Sequence, residues 1–279
     1  MIKSWLVNRD RVKIIIYLIV ISCSIGICLL GIRINAKQQH QRKIEYAEAT
    51  VENEAVKIKQ LNKQVRQFYR NDEQEFLTDS IKESSIKEVE GQIAAVKYEA
   101  EDFGLNSKEF STGHTEIGQR KIELTNSIKN VRKKYTIQNE ITKLLVQGPT
   151  DWSVKDETLV ISEEATAEKI TRIREKLSGN TGAWHDAITL LLDEIDTQVT
   201  QYSELEKSIN LMREGEELTS NANSENYILN YNQLELIKNE TLRNRLSDKL
   251  DIIGKLLDNI PVNVGPNVIE EEVLLPESG

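Results

Sequence analysis

Cysteine is missing from all but one short stretch of this chain: Cys23 and Cys28 both fall in an apolar run near the N-terminus. The rest of the sequence therefore has no disulfide and no thiolate ligand, a state that suits the cytosol and the exterior of a Gram-positive-type cell equally. Proline is confined to Pro149, Pro261, Pro266 and Pro276, and aromatic residues make up only 5% of the chain. A β-sandwich or barrel needs frequent turns and more aromatic and β-branched alternation, so this scarcity argues against all-β classes. Histidine occurs three times, at His40, His114 and His185. Each stands alone and is expected at the surface, not in a metal site. The sequence has no hydrolase-type nucleophile turn and no phosphate-cradling glycine loop. Acidic pairs such as Glu163/Glu164 and Glu216/Glu217 read as solvated faces in a chain with 45 acidic residues. The expectation is a non-enzyme with no catalytic residue, cofactor or metal.

What is present is charge asymmetry and one long apolar run. Residues 1–13 carry Lys3, Arg9, Arg11 and Lys13 against Asp10, a balance of +3 within a total of −9, so the remainder is −12. An acidic domain repels phosphate backbones, which argues against a nucleic-acid partner. Residues 14–32 read IIIYLIVISCSIGICLLGI, nineteen positions without a charge. As a helix they span about 28 Å, close to the roughly 30 Å thickness of a bilayer's hydrocarbon core. A buried core helix would show a polar face, and this stretch has none. Two rivals exist. A cleaved signal would need small residues at −3 and −1, and Ile34-Asn35-Ala36 offers a bulky one at −3. A lipoprotein signal is suggested by Val20-Ile21-Ser22-Cys23, but nine more apolar residues follow that cysteine. The stretch is expected to be an uncleaved single-pass anchor, with the membrane as the chain's first partner. Basic residues tie across it, with Arg33, Lys37, Arg42 and Lys43 on the far side, so they do not orient it. A short tail before a signal-like stretch places the large domain outside the cell.

The large domain reads as all-α. Ile44, Ala47, Val51, Ile58, Leu61, Val65 and Phe68 alternate spacings of three and four, with Glu54 in the one missing place. This is a heptad seam with β-branched residues at a, open to homodimerisation through residues 44–68 or to packing on the chain's own later helices. Ser85-Ile86-Lys87-Glu88 has the form of a capping box, followed by Ile86, Val89, Ile93 and Val96 on one face. After a polar loop over residues 102–113, a long helix from Thr115 to Gln147 carries Leu124, Ile128, Val131, Tyr135, Ile141 and Leu144, and Gly148-Pro149 ends it. Leu159-Val160-Ile161 is too short to place. Thr166 caps a helix with Ile170, Ile173 and Leu177, and a turn over residues 178–182 leads to a helix from Trp184 to Arg213. Its stripe is Ile188, Leu191, Ile195, Val199, Tyr202, Leu205, Ile209 and Met212. Ser224 caps a helix with Ile228, Tyr231, Leu234 and Ile237; Asn239-Glu240 turns into a last helix from Thr241 to Leu257, stopped before Pro261.

The expected division is a short N-terminal tail over 1–13, a transmembrane helix over 14–32, a heptad stalk over 33–71, a hairpin unit over 72–149, further hairpins over 150–258, and an extended or disordered tail over 259–279. Leu124, Ile128, Tyr135, Leu144 and Leu145 recur at an offset of 67 as Leu191, Ile195, Tyr202, Leu211 and Met212, which predicts an internal repeat. Each capped hairpin has one apolar side and must stack to bury it, giving a helical bundle or short array. Trp152 and Trp184 are either exposed platforms for a sugar or plugs between stacked hairpins.

The segments Thr166-Ala167-Glu168-Lys169-Ile170 leading to Leu177, and Leu236-Ile237-Lys238-Asn239-Glu240-Thr241-Leu242-Arg243-Asn244-Arg245-Leu246, resemble the extracellular helical domain of MapZ-type mid-cell-anchored proteins. The likeness covers residues 150–258. It implies a surface-exposed helical spacer near the cell wall, a protein or wall partner, and a role in cell division or wall organisation. A cytoplasmic spectrin-like arm resembling EzrA-type division regulators, and a structural subunit of a secretion, conjugation or phage membrane assembly, are the alternatives.

Overall fold

The computed structural model of the protein describes residues 2–107, 114–154 and 156–258. The chain is mostly helical, in the order α1 (Ile2–Arg66), α2 (Glu83–Ala94), a 3-10 turn (Ala100–Phe103), α3 (His114–Lys143), α4 (Ala167–Leu177), α5 (Ala183–Leu211), a two-residue β-hairpin of β1 (Arg213–Glu214) and β2 (Glu217–Leu218), α6 (Ser224–Gln233) with a 3-10 turn (Leu234–Leu236), and α7 (Glu240–Asp258). It divides into two compact units, residues 1–135 and 136–279. Residues 108–113 of the expected 102–113 loop, Pro261 and the tail over 259–279 lie outside the described residues.

In the first unit the heptad seam is buried by the chain itself. Ala47, Val51, Ile58, Leu61 and Val65 share one core with Ile86, Val89 and Ile93 of α2 and with Leu124, Ile128 and Val131 of α3. Ile44 and Phe68 pack at its margin, and Glu54, in the vacant d place, is largely covered and pairs with Lys57 at 3.3 Å. α1 stops at Arg66, inside the expected 33–71 stalk, because Tyr69 leaves the helix to bridge Leu77. The capping box at Ser85 does not form. α2 has already begun at Glu83 with Lys82 as N-cap, and the Ile86 N–H bonds the Lys82 carbonyl at 3.2 Å.

The second unit stacks α4 and α5 with α6 and α7 around Ile170, Ile173, Leu177, Trp184, Ile188, Leu192, Ile195, Leu246 and Leu250, all buried. Leu192, not the predicted Leu191, is the fully buried member of that turn. Thr166 caps α4 as expected, its hydroxyl accepting from the Lys169 N–H. Asn223, not Ser224, caps α6, and Asn239 caps α7 through the Leu242 N–H at 3.0 Å. α3 ends at Lys143, short of Gly148-Pro149, because Leu145 pairs with Ile161. The unplaced 159–161 segment is thus an extended piece bridged to the end of α3.

The structure shows a repeat, but not the one expected at an offset of 67. Three times a residue just past a long helix bridges one downstream: Tyr69 with Leu77, Leu145 with Ile161, Arg213 with Leu218. Three times the next residue is a hydroxyl whose N–H closes onto the helix end: Thr78 to Phe68 O, Ser162 to Leu144 O, and Thr219 to Met212 O, at 2.9, 2.8 and 3.0 Å. Four residues beyond each hydroxyl lies the N-cap of a short helix, at Lys82, Thr166 and Asn223. Eight, four and one residues before the first bridge partner come Leu61, Val65 and Phe68, then Ile137, Ile141 and Leu144, then Leu205, Ile209 and Met212. All are buried except Phe68, which is partly so. Leu144 therefore corresponds to Met212 and not to Leu211, which is exposed, and the offset of 67 is one short.

Candidate functional site

The apolar run over residues 14–32 belongs to α1, and none of the described residues covers it. Its large side chains, from Ile14 and Ile15 through Leu18, Ile19 and Val20 to Leu29, Leu30 and Ile32, are each more than half exposed. A core helix of the same composition would be buried; this one is not. It is long and apolar enough to cross a membrane. The Ser24 hydroxyl, its one described side-chain donor bond within the run, turns back to the Val20 carbonyl at 2.9 Å, so the helix satisfies its own polar group. Beyond it, residues 33–43 hold Arg33, Lys37, Arg42 and Lys43 with no acidic residue, and all of them are exposed. Residues 44–279 then carry −16, once +3 for residues 1–13 and +4 for residues 33–43 are subtracted from −9.

A cleft of about 340 Å³ lies beside the start of α5, lined by Trp152, Leu159, Leu190 and the carboxylates of Asp151, Asp156, Asp186 and Glu194. Those carboxylates are occupied with local structure. Asp151 accepts from the N–H and hydroxyl of Ser153, and Asp156 likewise from Thr158. The Thr158 bonds hold the Asp156 carboxyl below its usual range. Glu194 accepts from Lys238 at 3.0 Å and from Gln198 at 3.0 Å. Asp151 and Asp156 thus hold turns, and Glu194 is bridged to Lys238. Trp152 is half-buried at the cleft, whereas Trp184 is 1% exposed and sits in the core as a plug between helices. His40 is exposed on α1, His185 lies 3.1 Å from its neighbour Asp186, and the side chain of His114 lies outside the described ones. Among the described residues no group of three or more His, Cys, Asp or Glu is placed to hold a metal ion.

The groups with shifted pKa values also have structural work. Lys134 is buried, donates to the Gln74 and Glu75 carbonyls at 3.3 and 2.5 Å, and lies 5.5 Å from the centre of the Tyr69 ring. Burial lowers its pKa, against the opposing pull of Glu75. Burial also pushes the Tyr69 phenol up to about 12. Lys121 repeats the device on the end of α2, donating to the Val96 carbonyl at 2.8 Å beneath Tyr98. Sequence patterns miss such clamps because a lysine at helical spacing reads as a solvated one.

One face departs from its expected role. Ile228 and Tyr231, predicted to line the core side of α6, point outward with Leu229 and Leu236, each more than half exposed, while Asn230 turns inward and donates to the Met212 sulfur at 3.1 Å. No protein-family model, curated protein or solved structure matches this chain.

Proposed function

We propose that this is a non-catalytic, single-pass membrane protein whose helical array is a scaffold or interaction domain of a Gram-positive-type cell envelope. The observation that carries the reading is the nineteen-residue apolar surface of α1, uncharged and uncovered, in a helix that continues into a folded core. Leaving that surface in water forfeits about 1.5–3 kcal/mol for each large aliphatic side chain, a cost that lipid removes. Lys13 and Arg33 bracket it at the spacing where basic side chains reach headgroups. The likeness to MapZ-type proteins supports an outward-facing domain and work near the wall or the division site. Asp151 and Asp156, committed to turns, and Glu194, paired with Lys238, support a binding role over a catalytic one.

The four-against-four tie in basic flanks does not separate this reading from the opposite topology, a cytoplasmic arm like those of EzrA-type regulators. Protease shaving of intact cells separates the two. The outward reading predicts that the array is digested before lysis, and an array protected until lysis overturns it in favour of the inward one.

A further inference from the structure

The threefold plan exposes a departure that one helix alone would hide. Counted from the N-cap, positions five, six and eight of the short helix face outward or to its flank, and position seven faces the core. In α2 the outer three are Lys87, Glu88 and Glu90, and in α4 they are Thr171, Arg172 and Arg174, while Val89 and Ile173 are buried at position seven. The fold thus places charged or hydroxyl residues outside and a β-branched aliphatic inside. In α6 the order inverts: Ile228, Leu229 and Tyr231 stand outside and Asn230 is buried. Leu236, in the turn that extends α6, adds a fourth exposed apolar side chain. Nothing in the fold demands this, since two sister helices do without it. An apolar face where its counterparts are charged marks a contact surface.

The charge around it selects the occupant. Residues 224–236 contain Glu225 and Glu235 and no lysine or arginine. The chain's own residues 259–279 carry Glu270, Glu271, Glu272 and Glu277, again without a basic residue, and a second copy of α6 would bring the same two carboxylates. Both are of the wrong sign. We infer that the outer face of α6 docks a segment of another protein, amphipathic and basic, whose apolar residues cover Ile228, Leu229 and Tyr231 while flanking Lys or Arg side chains meet Glu225 and Glu235. This deepens the reading of the array as an interaction domain and is independent of the anchor. Apolar contact supplies the affinity, and the carboxylates supply choice of partner and register.

The test places a photo-crosslinking benzoylphenylalanine at Leu229, or at the corresponding Arg172 of α4, in the full-length protein in its own membrane. The crosslinked peptide is then sequenced by mass spectrometry. The expected result is a product at position 229, at least about fivefold above position 172, on a foreign segment with apolar residues flanked by Lys or Arg. Glu225→Lys with Glu235→Lys should reduce that product by a similar factor, and the triple change Ile228→Thr, Leu229→Arg, Tyr231→Arg, which gives α6 the residues of α4, should leave the thermal midpoint of the free protein unchanged. A crosslink to residues 259–279, a crosslink to a second copy, a foreign segment without basic residues, or no excess over position 172 overturns the inference. Shaving reports only topology, so a failure here and a failure of the outward reading are separate results.

Discussion

Replacing Gln198 with leucine cuts the bonds that hold the extended 159–161 segment in place. Gln198 is 5% exposed, and its amide accepts from the Ile161 N–H at 3.3 Å and donates to the Leu159 carbonyl at 3.0 Å, as a neighbouring strand would. Leu159 and Ile161 are themselves buried, so the variant leaves one donor and one acceptor with no water to turn to. Each orphaned group costs about 1–3 kcal/mol, and the extra apolar burial of leucine returns roughly 1–2. The middle of each range gives a net loss of about 2.5 kcal/mol, which lowers the thermal midpoint by roughly 5–10 °C in a domain of this size. Two of the three tryptophans, Trp152 and Trp184, lie in the second unit, so with Trp5 replaced by phenylalanine the tryptophan fluorescence of the full-length protein in detergent reads its transition. Asn239 donates to the Ile161 carbonyl at 2.7 Å, so the pair Gln198→Leu and Asn239→Ala should be non-additive. A midpoint within 2 °C of wild type for Gln198→Leu would refute the idea that a side chain completes this strand.

Two further outcomes concern the first unit. The Tyr69 phenol is raised from 10.0 to about 12, so the folded state holds its proton more tightly than the unfolded one. Its contribution is complete below pH 10 and is lost as pH rises towards 12, a difference of about 2–3 kcal/mol; Lys134, with its lowered pKa, acts in the opposite direction below 10.5. Urea unfolding at pH 9 and 11.5 should therefore show a smaller alkaline loss for Tyr69→Phe than for wild type, and equal losses would count against the buried phenol. Lys134→Met strips the Gln74 and Glu75 carbonyls of a charged donor and should cost about 2 kcal/mol. Hydrogen exchange at the Arg70 and Thr78 amides, which close that loop, should accelerate, and unchanged protection would argue that the loop holds itself.

The helices were legible because their apolar positions recur at 3.6 residues: the stripes at Leu124–Ile128–Val131, Ile170–Ile173–Leu177 and Leu242–Leu246–Leu250 are all buried as read. Helix ends were less so. α1 and α3 each stop several residues early because Tyr69 and Leu145 form a one-residue bridge, whose partners lie 8 and 16 residues ahead and leave no periodic trace. The 159–161 segment was illegible for a related reason: part of its ladder is made by the side chains of Gln198 and Asn239. The heptad seam is a real stripe, but spacing alone does not distinguish a second copy from the chain's own α2 and α3 as the surface that covers it. The α6 face was misassigned because its apolar residues fit the helical period while sitting on the wrong side of it. Only comparison with α2 and α4 shows that the pattern has been inverted.

The proposed membrane anchor carries the functional reading, and alkaline carbonate extraction combined with the intact mass of the recovered polypeptide tests it most directly. The protein should stay with the membrane pellet and retain residues 14–32. Recovery in the soluble fraction, with a mature N-terminus at or near Lys37, would contradict it.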